Sequence, residues 1–385
     1  MDRDNRLLRV LLVYNKMIPS IRLCAYTQLE ALSDRREIEY RAVRYISVSK
    51  KDLQWADVLI MGRSDSWYEF VLADKAHKAG KHIAYIMDDD LLNVPCELSS
   101  AAYLNRKDIR RNIERLLDIS DVLISPSPIL LERYGKEGGR LLVEEPAICP
   151  VRYMPRDPGQ PLRIGFAGSI DRTNDIQQIL SQALLKIKAE YGDSVSFSFY
   201  GAIPAYAEAL GAETLAYCDT YERYRETLNA LRWDIGLAPM PRTPFHACKH
   251  YNKFVEYAAS GIVGVYSETQ PYLRLKKWEN CGLFCNNTAE AWYEAIKTLL
   301  DDPEKLDAMR RQVCDYSAGV LSVDAVATEF LSRLRVCTAT EKQAARKGFL
   351  LAPYKLAHFF VRGYHFLQNH RRDLLPAIRE KLTGR

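Results

Sequence analysis

Lys249, Lys253 and Glu256 sit in the run Cys248-Lys249-His250-Tyr251-Asn252-Lys253-Phe254-Val255-Glu256-Tyr257-Ala258-Ala259-Ser260-Gly261, which carries a helical pattern. At about 100° per residue the three charged side chains fall within about 60° of one another, and Tyr251, Phe254 and Ala258 form a separate apolar face. Lysine in a first helical turn opposes the positive end of the macrodipole by about a few tenths of a kcal/mol, and an anion placed there removes the conflict. A diphosphate-bearing ligand is one candidate, with Glu256 one turn further in to accept hydrogen bonds from sugar hydroxyls. The alternative is an ordinary amphipathic helix with solvated lysines. Gly261 suits a left-handed stop, and Ile262, Val263 and Val265 then suit a buried strand.

A second group of chemical residues follows two apolar runs of the first half. Arg63 stands just beyond Asp57 to Met61, and Asp88, Asp89 and Asp90 come directly after the run ending at Met87. Three readings of the aspartates stand side by side. They could hold a divalent ion that bridges phosphates. They could orient or deprotonate an acceptor hydroxyl. They could cap the next helix, with Asp90 or Asn93 near its N-terminus. In the second half, the strand-like Leu162 to Ala167 runs into Gly168-Ser169, where small residues let a phosphate approach backbone N–H groups.

The elements that must position these groups follow an α/β pattern. Leu8 to Tyr14, Ile38 to Val43, Asp57 to Met61, His82 to Met87 and Asp121 to Ser125 read as strands separated by helical or loop segments. Such alternation predicts a parallel sheet with helices on both faces and ligands at the carboxyl ends of its strands. Residues 144–161 contain five prolines and break every period, which places a domain boundary there. The same pattern then restarts, with strands at Leu162 to Ser169, Val195 to Tyr200 and Ile235 to Ala238. Glu208 to Tyr224 is tyrosine-rich and reads as packing, and 289–334 as two helices with Asp301-Asp302-Pro303-Glu304 as the N-terminal signal between them. The expected organisation is a first Rossmann-like domain over 1–150, a second over 151–335 and a basic helical tail over 336–385.

A chain of 385 residues is long enough for two full cores. Nine cysteines without paired spacing imply reduced thiols in the cytoplasm, and no histidine or cysteine set completes a zinc site. No run reaches about 18 apolar residues, and the first residues lack the apolar core of a signal peptide. The net charge of +5 is local: 341–385 holds ten Lys/Arg against three Asp/Glu, a surplus of +7 that leaves −2 for the rest. In that tail Arg346, Lys347, Lys355, Arg362, Arg371 and Arg372 alternate with aromatic and apolar residues. Two readings are an interfacial segment on an anionic membrane surface and a helix that crosses back onto the first domain; a nucleic-acid patch lacks an accompanying motif.

The run from Cys248 to Gly261 resembles the donor-binding helix of GT-B glycosyltransferases of the family 4 kind, and the resemblance extends over roughly 8–335. In that family the second of two glutamates contacts the ribose of the nucleotide sugar. Glu256 matches it, and Cys248 stands at the place of the first, so Lys249 or Lys253 would supply the polar contacts there. Leu162 to Ser169 resembles the first strand and loop of the nucleotide-binding domain, and Arg172 is the nearest match to the basic residue that contacts the diphosphate. The glycine-rich loop after the first strand is missing, and Ser20 and Arg22 would serve as anion or acceptor contacts instead. The loop after Met87 would face the cleft, which favours Asp88 and Asp89 as the catalytic groups.

The resemblance thus implies transfer of a sugar, with retention, from a nucleotide-diphosphate sugar to a glycan or lipid-linked acceptor. Gly168, Ser169, Arg172, Lys249, Lys253 and Glu256 would hold the donor, and Arg22 and Arg63 would face phosphate or acceptor. No metal or other cofactor is expected, and the implied setting is cytoplasmic, at the inner face of the cell membrane, in polysaccharide synthesis. Rival readings are a GT-B-type sugar-nucleotide epimerase, a non-catalytic scaffold, and a GT-A enzyme with a metal at Asp88 to Asp90.

Overall fold

A computed structural model of the chain describes residues 6–157, 159–218, 220–340, 342 and 351–369, with the backbone alone at 99, 100 and 361–369. The first sheet holds six parallel strands: β1 (Leu8–Tyr14), β2 (Ile38–Arg44), β3 (Val58–Gly62), β4 (His82–Ile86), β5 (Val122–Ser125) and β6 (Arg140–Leu142), in the order β2-β1-β3-β4-β5-β6. Every residue of β3 and β5 is buried, the state expected of apolar runs covered by helices on both faces. β1 and β3 pair from Val10 with Val58 to Tyr14 with Gly62, so the loops that follow them leave the sheet side by side.

The second sheet contains β7 (Leu162–Gly168), β8 (Val195–Gly201), β9 (Glu213–Leu215), β10 (Ile235–Ala238), β11 (Val263–Ser267) and β12 (Gly282–Cys285), ordered β12-β11-β10-β7-β8-β9. Chain order reverses between β1 and β3 in one sheet and between β7 and β10 in the other, the positions where doubly wound sheets open a crevice. The short strands β6, β9 and β12 carry too few residues for a periodic signal and are absent from the strands expected of the sequence. In register, Gly165, Gly236, Gly264 and Gly282 form a row across four strands. A Cβ at Gly165 would lie 2.0 Å from the Trp233 ring, one at Gly236 2.6 Å from Tyr257, and one at Gly264 2.0 Å from Tyr266. The row is a slot that lets large aromatics lie flat on the sheet, where they supply much of this core.

Three helices, not two, occupy the stretch over 289–337: Ala289–Leu300, Pro303–Ala318 and Val323–Cys337. The tight turn around Gly319 to Leu321 divides the expected second helix, and Ser322 caps the new one by accepting from Ala325 N. Val323–Cys337 crosses back to the first sheet, where Ala327, Phe330, Leu331 and Leu334 share a core with β1, β3 and the helix Thr27–Asp34. The last described helix, Ala352–Asn369, also packs on the first half. The His358 ring stacks on Tyr68 at 5.3 Å and shares a 3.0 Å hydrogen bond with Tyr45, and Tyr354 lies against Trp67. Leu356, Phe359 and Phe360 of the same helix are exposed. The tail residues Arg346, Lys347, Arg371 and Arg372 lie outside the described residues, and Arg362 is described by its backbone alone. Among the described residues no helix is long and apolar enough to cross a membrane.

Candidate functional site

The carboxyl ends of the strands at the two reversal points face one another. Asn15 and Lys16 after β1, Gly62 and Arg63 at the end of β3, Asp89 after β4 and Ser169 after β7 line a cavity of about 520 Å³. A neighbouring cavity of about 290 Å³ lies deeper in the second half, lined by Gly168, Met240, Lys253 and Glu256 among others. Arg63, Asp89, Ser169, Arg172 and Lys249 border both cavities, so they form one cleft with a shared charged neck.

The helix expected over the Lys249 segment is broken in two. Pro244–Ala247 ends in a turn, Tyr251 adopts φ −85° and ψ 46°, and a new helix runs Asn252–Ala259. The cause is packing: the buried Tyr251 ring lies 4.1 Å from His250 and its hydroxyl donates to Glu144, which holds the backbone out of helical register. Lys253 therefore occupies the first turn, and Lys249 projects from the turn before it, so the dipole argument applies to Lys253 alone.

Lys249 reaches across the cleft and donates to Asp89 Oδ1 at 2.8 Å. Arg63 donates to Asp88 Oδ2 at 3.1 Å and lies 3.8 Å from Asp89 Oδ2. Its backbone has φ 51°, a left-handed conformation uncommon for a non-glycine residue, and this aims the guanidinium back over the strand end. Burial pushes the Asp89 carboxyl up, but Lys249 and then Arg63 outweigh it and hold the pKa below the ordinary carboxylate value. Asp88 Oδ1 is buried without a hydrogen-bond partner among the described residues.

The third aspartate does something else. Asp90 is 1% exposed and accepts from Arg133, from Tyr134 at 2.8 Å and from Asn93 at 3.1 Å. No helix begins at Asp90 or Asn93, so the capping reading gives way to a buried tie between the β4 loop and the helix Pro128–Tyr134. Each aspartate faces a cation, and no group of three His, Cys, Asp or Glu among the described residues is placed to hold a metal ion.

On the second half, Glu256 accepts from Lys253 at 2.5 Å and from the Tyr224 hydroxyl at 2.8 Å. Tyr224, expected to be packing only, thus orients the carboxylate. Arg172 donates to the Pro239 carbonyl at 2.6 Å and lies 3.2 Å from Asp175, and its helix Thr173–Tyr191 starts without a side-chain cap. The chain enters that helix through a short 3-10 turn, in which Arg172 N donates to Ser169 O and Thr173 N to Ile170 O. Gly168 closes the β7 turn by accepting from Ala202 N. This close approach requires Gly201, at φ 90°, because a Cβ there would lie 2.2 Å from the Gly168 oxygen. Arg22 borders neither cavity and pairs with Glu222 across the mouth of the cleft, while Ser20 lines the deeper cavity.

Sequence reasoning missed Glu144, Glu145, His246 and His250. Glu145 and His250, each about 2% exposed at the side chain, line the deeper cavity with Glu145 Oε2 3.6 Å from His250 Nδ1. Burial pushes the Glu145 carboxyl up; burial pulls the His250 imidazole down, but Glu145 and Glu144 outweigh this and leave it raised. His246 lines the larger cavity, and burial followed by Arg172 and Lys249 lowers its pKa to about 4, which keeps the imidazole neutral. Glu144-Glu145 opens the proline-rich boundary segment, where no periodicity signals a buried role.

No family model matches the chain, and no curated protein matches it. Solved structures do. HepE from Anabaena, crystallised with UDP-glucose, is 13% identical with a TM-score of 0.58 over 85% of this chain and 99% of that one. Sucrose-phosphate synthase from Thermosynechococcus elongatus is 12% identical at 0.56, covering 86% and 99%. A putative UDP-N-acetylglucosamine 2-epimerase from Listeria monocytogenes is 12% identical at 0.54, covering 90% and 100%. The chain therefore has the GT-B, glycosyltransferase-like fold: two Rossmann-like domains that face a cleft. These similar structures include both transferases and an epimerase, and they do not single out family 4.

Proposed function

We propose that the chain is a glycosyltransferase that moves a sugar from a nucleoside-diphosphate sugar to an acceptor hydroxyl. The observation that carries the reading is the convergence of Lys249, Arg63 and Arg172 with Ser169 on the neck shared by the two cavities, beside the Lys253–Glu256 pair. Cations and backbone N–H groups fixed in place stabilise the negative charge that grows on a departing diphosphate, and they need no metal to do so. Glu256, held by Tyr224 and Lys253, fixes the ribose hydroxyls. Asp88, its Oδ1 without a hydrogen-bond partner among the described residues, positions or deprotonates the acceptor from the first domain. Retention of anomeric configuration, a glycan or lipid-linked acceptor and a cytoplasmic site of action belong to this proposal. So does a resting place on the inner face of the membrane, supported by exposed Leu356, Phe359 and Phe360 beside Lys355.

A second reading is supported by Glu145. A buried carboxyl with a raised pKa, 3.6 Å from His250 and in the same cavity as Asp88, is the type of acid/base set a sugar-nucleotide epimerase requires. Thermal shift with UDP, GDP, ADP, dTDP and their common sugars, with and without EDTA, tests the shared donor pocket. The transferase reading expects stabilisation by one nucleotide class, unchanged by chelator. No shift with any nucleotide refutes both readings, and a new donor sugar formed without acceptor selects the epimerase.

A further inference from the structure

The amino-terminal ends of the inner strands of the second sheet, opposite the cleft, hold a pocket of about 260 Å³. The boundary segment over 151–157 forms one wall, and Arg163 at the start of β7, Asp234 just before β10 and Arg310 of the helix Pro303–Ala318 form the other. Five arginines line it, Arg152, Arg156, Arg163, Arg232 and Arg310, against the aspartates Asp157 and Asp234.

Asp234 cannot neutralise this set. It is 4% exposed and accepts from Arg163 N at 2.9 Å, and it is shared between Arg156 at 3.5 Å and Arg310 at 3.8 Å. Arg156 Nη2 is buried with no hydrogen-bond partner among the described residues, which leaves that donor of the guanidinium fork unused. The side chains of Arg152 and Arg232 have no acceptor among the described residues. Arg232 ends the helix Tyr221–Leu231 in a left-handed conformation, φ 47°, where glycine costs less. Both Arg152 and Arg232 are exposed side chains that border the pocket.

We propose that this pocket is a second ligand site, remote from the cleft, that binds a small anion carrying one or two phosphate groups. Planar guanidinium forks match phosphate oxygens in pairs. The volume lies below the roughly 300–1,000 Å³ of drug-sized ligand sites, so it suits inorganic phosphate, diphosphate or a small phosphoester rather than a whole nucleotide. The bound anion would join the segment that crosses between the domains to the body of the second one.

Titration calorimetry with inorganic pyrophosphate at constant ionic strength tests the site. Arg232→Gly relaxes the backbone while it removes the guanidinium, and Arg152→Ala changes an exposed side chain, so both variants keep the fold. Each is expected to weaken pyrophosphate binding roughly tenfold, the loss of one charge-assisted contact, while Arg232→Lys retains part of it. The double variant Arg172→Ala/Lys249→Ala removes cleft contacts and is expected to keep the pocket isotherm. The proposal falls if wild-type protein binds no pyrophosphate, if Arg232→Gly and Arg152→Ala leave the isotherm unchanged, or if the cleft variant abolishes all binding. Failure of the donor reading shows separately, as loss of every nucleotide response with the pyrophosphate isotherm intact.

Discussion

Asp89 and a donor diphosphate compete for the same cations, so Asp89→Asn should tighten UDP binding. Lys249 Nζ lies 2.8 Å from Asp89 Oδ1 and Arg63 Nη2 3.8 Å from Oδ2. At an effective dielectric constant near 20 the Lys249 pair alone attracts by about 6 kcal/mol. Both side chains are about a quarter exposed, 26% and 22%, so desolvation and ordering cancel most of that and leave a net hold of about 1–2 kcal/mol. Asparagine keeps the size and the carbonyl acceptor but drops the charge. The expected gain in UDP affinity by titration calorimetry is about five- to thirtyfold, shrinking as salt rises because the site is partly open to solvent. Sugar transfer should fall in the same variant if Asp89 also aligns the reacting groups. An unchanged or weaker UDP affinity at low salt would refute the competition and place the diphosphate away from Lys249.

The neighbouring aspartate gives a contrasting result. Asp90→Ala leaves Arg133 and Tyr134 without their buried acceptor and should cost about 2–4 kcal/mol in urea unfolding, with nucleotide affinity of the folded protein unchanged. Glu256→Gln removes the charge facing Lys253 and should lower UDP affinity about tenfold and stability by about 1–3 kcal/mol; a stable variant with unaltered affinity would mean that Glu256 does not meet the ribose. His250 has a raised folded pKa, so its stabilising contribution is complete below the unfolded value of about 6.5 and is lost as pH climbs through the folded one. His250→Gln should flatten that alkaline decline. Burial raises Glu144, but His250, Tyr251 and Lys277 outweigh it and bring its pKa to about 2. Its contribution is present above about 4.3 and lost as pH falls through 2, and Glu144→Gln should remove this acid limb.

The parallel sheets, the turn at Gly168-Ser169 and the cleft-facing ends at Arg63 and Asp89 were legible in the amino-acid order, because a strand buried on both faces must be apolar throughout and its loop must carry the polar groups. The break at Tyr251 was not, since the residues from Cys248 to Ala259 satisfy a helical period and the partner of the ring's hydroxyl, Glu144, is far from it in the chain, at a separation of 107 residues. Asp88, Asp89 and Asp90 are adjacent and alike in sequence, yet Arg63, Lys249 and Arg133 give them three environments. The row of glycines under Trp233, Tyr257 and Tyr266 exists only in register across strands far apart in the chain. Periodicity and turn chemistry act between neighbours and so determined which segments became strands and helices. The lowered pKa of Asp89, the raised pKa of Glu145 and the aim of Lys249 depend on burial and on partners brought from the other domain, and those were decided by the tertiary structure.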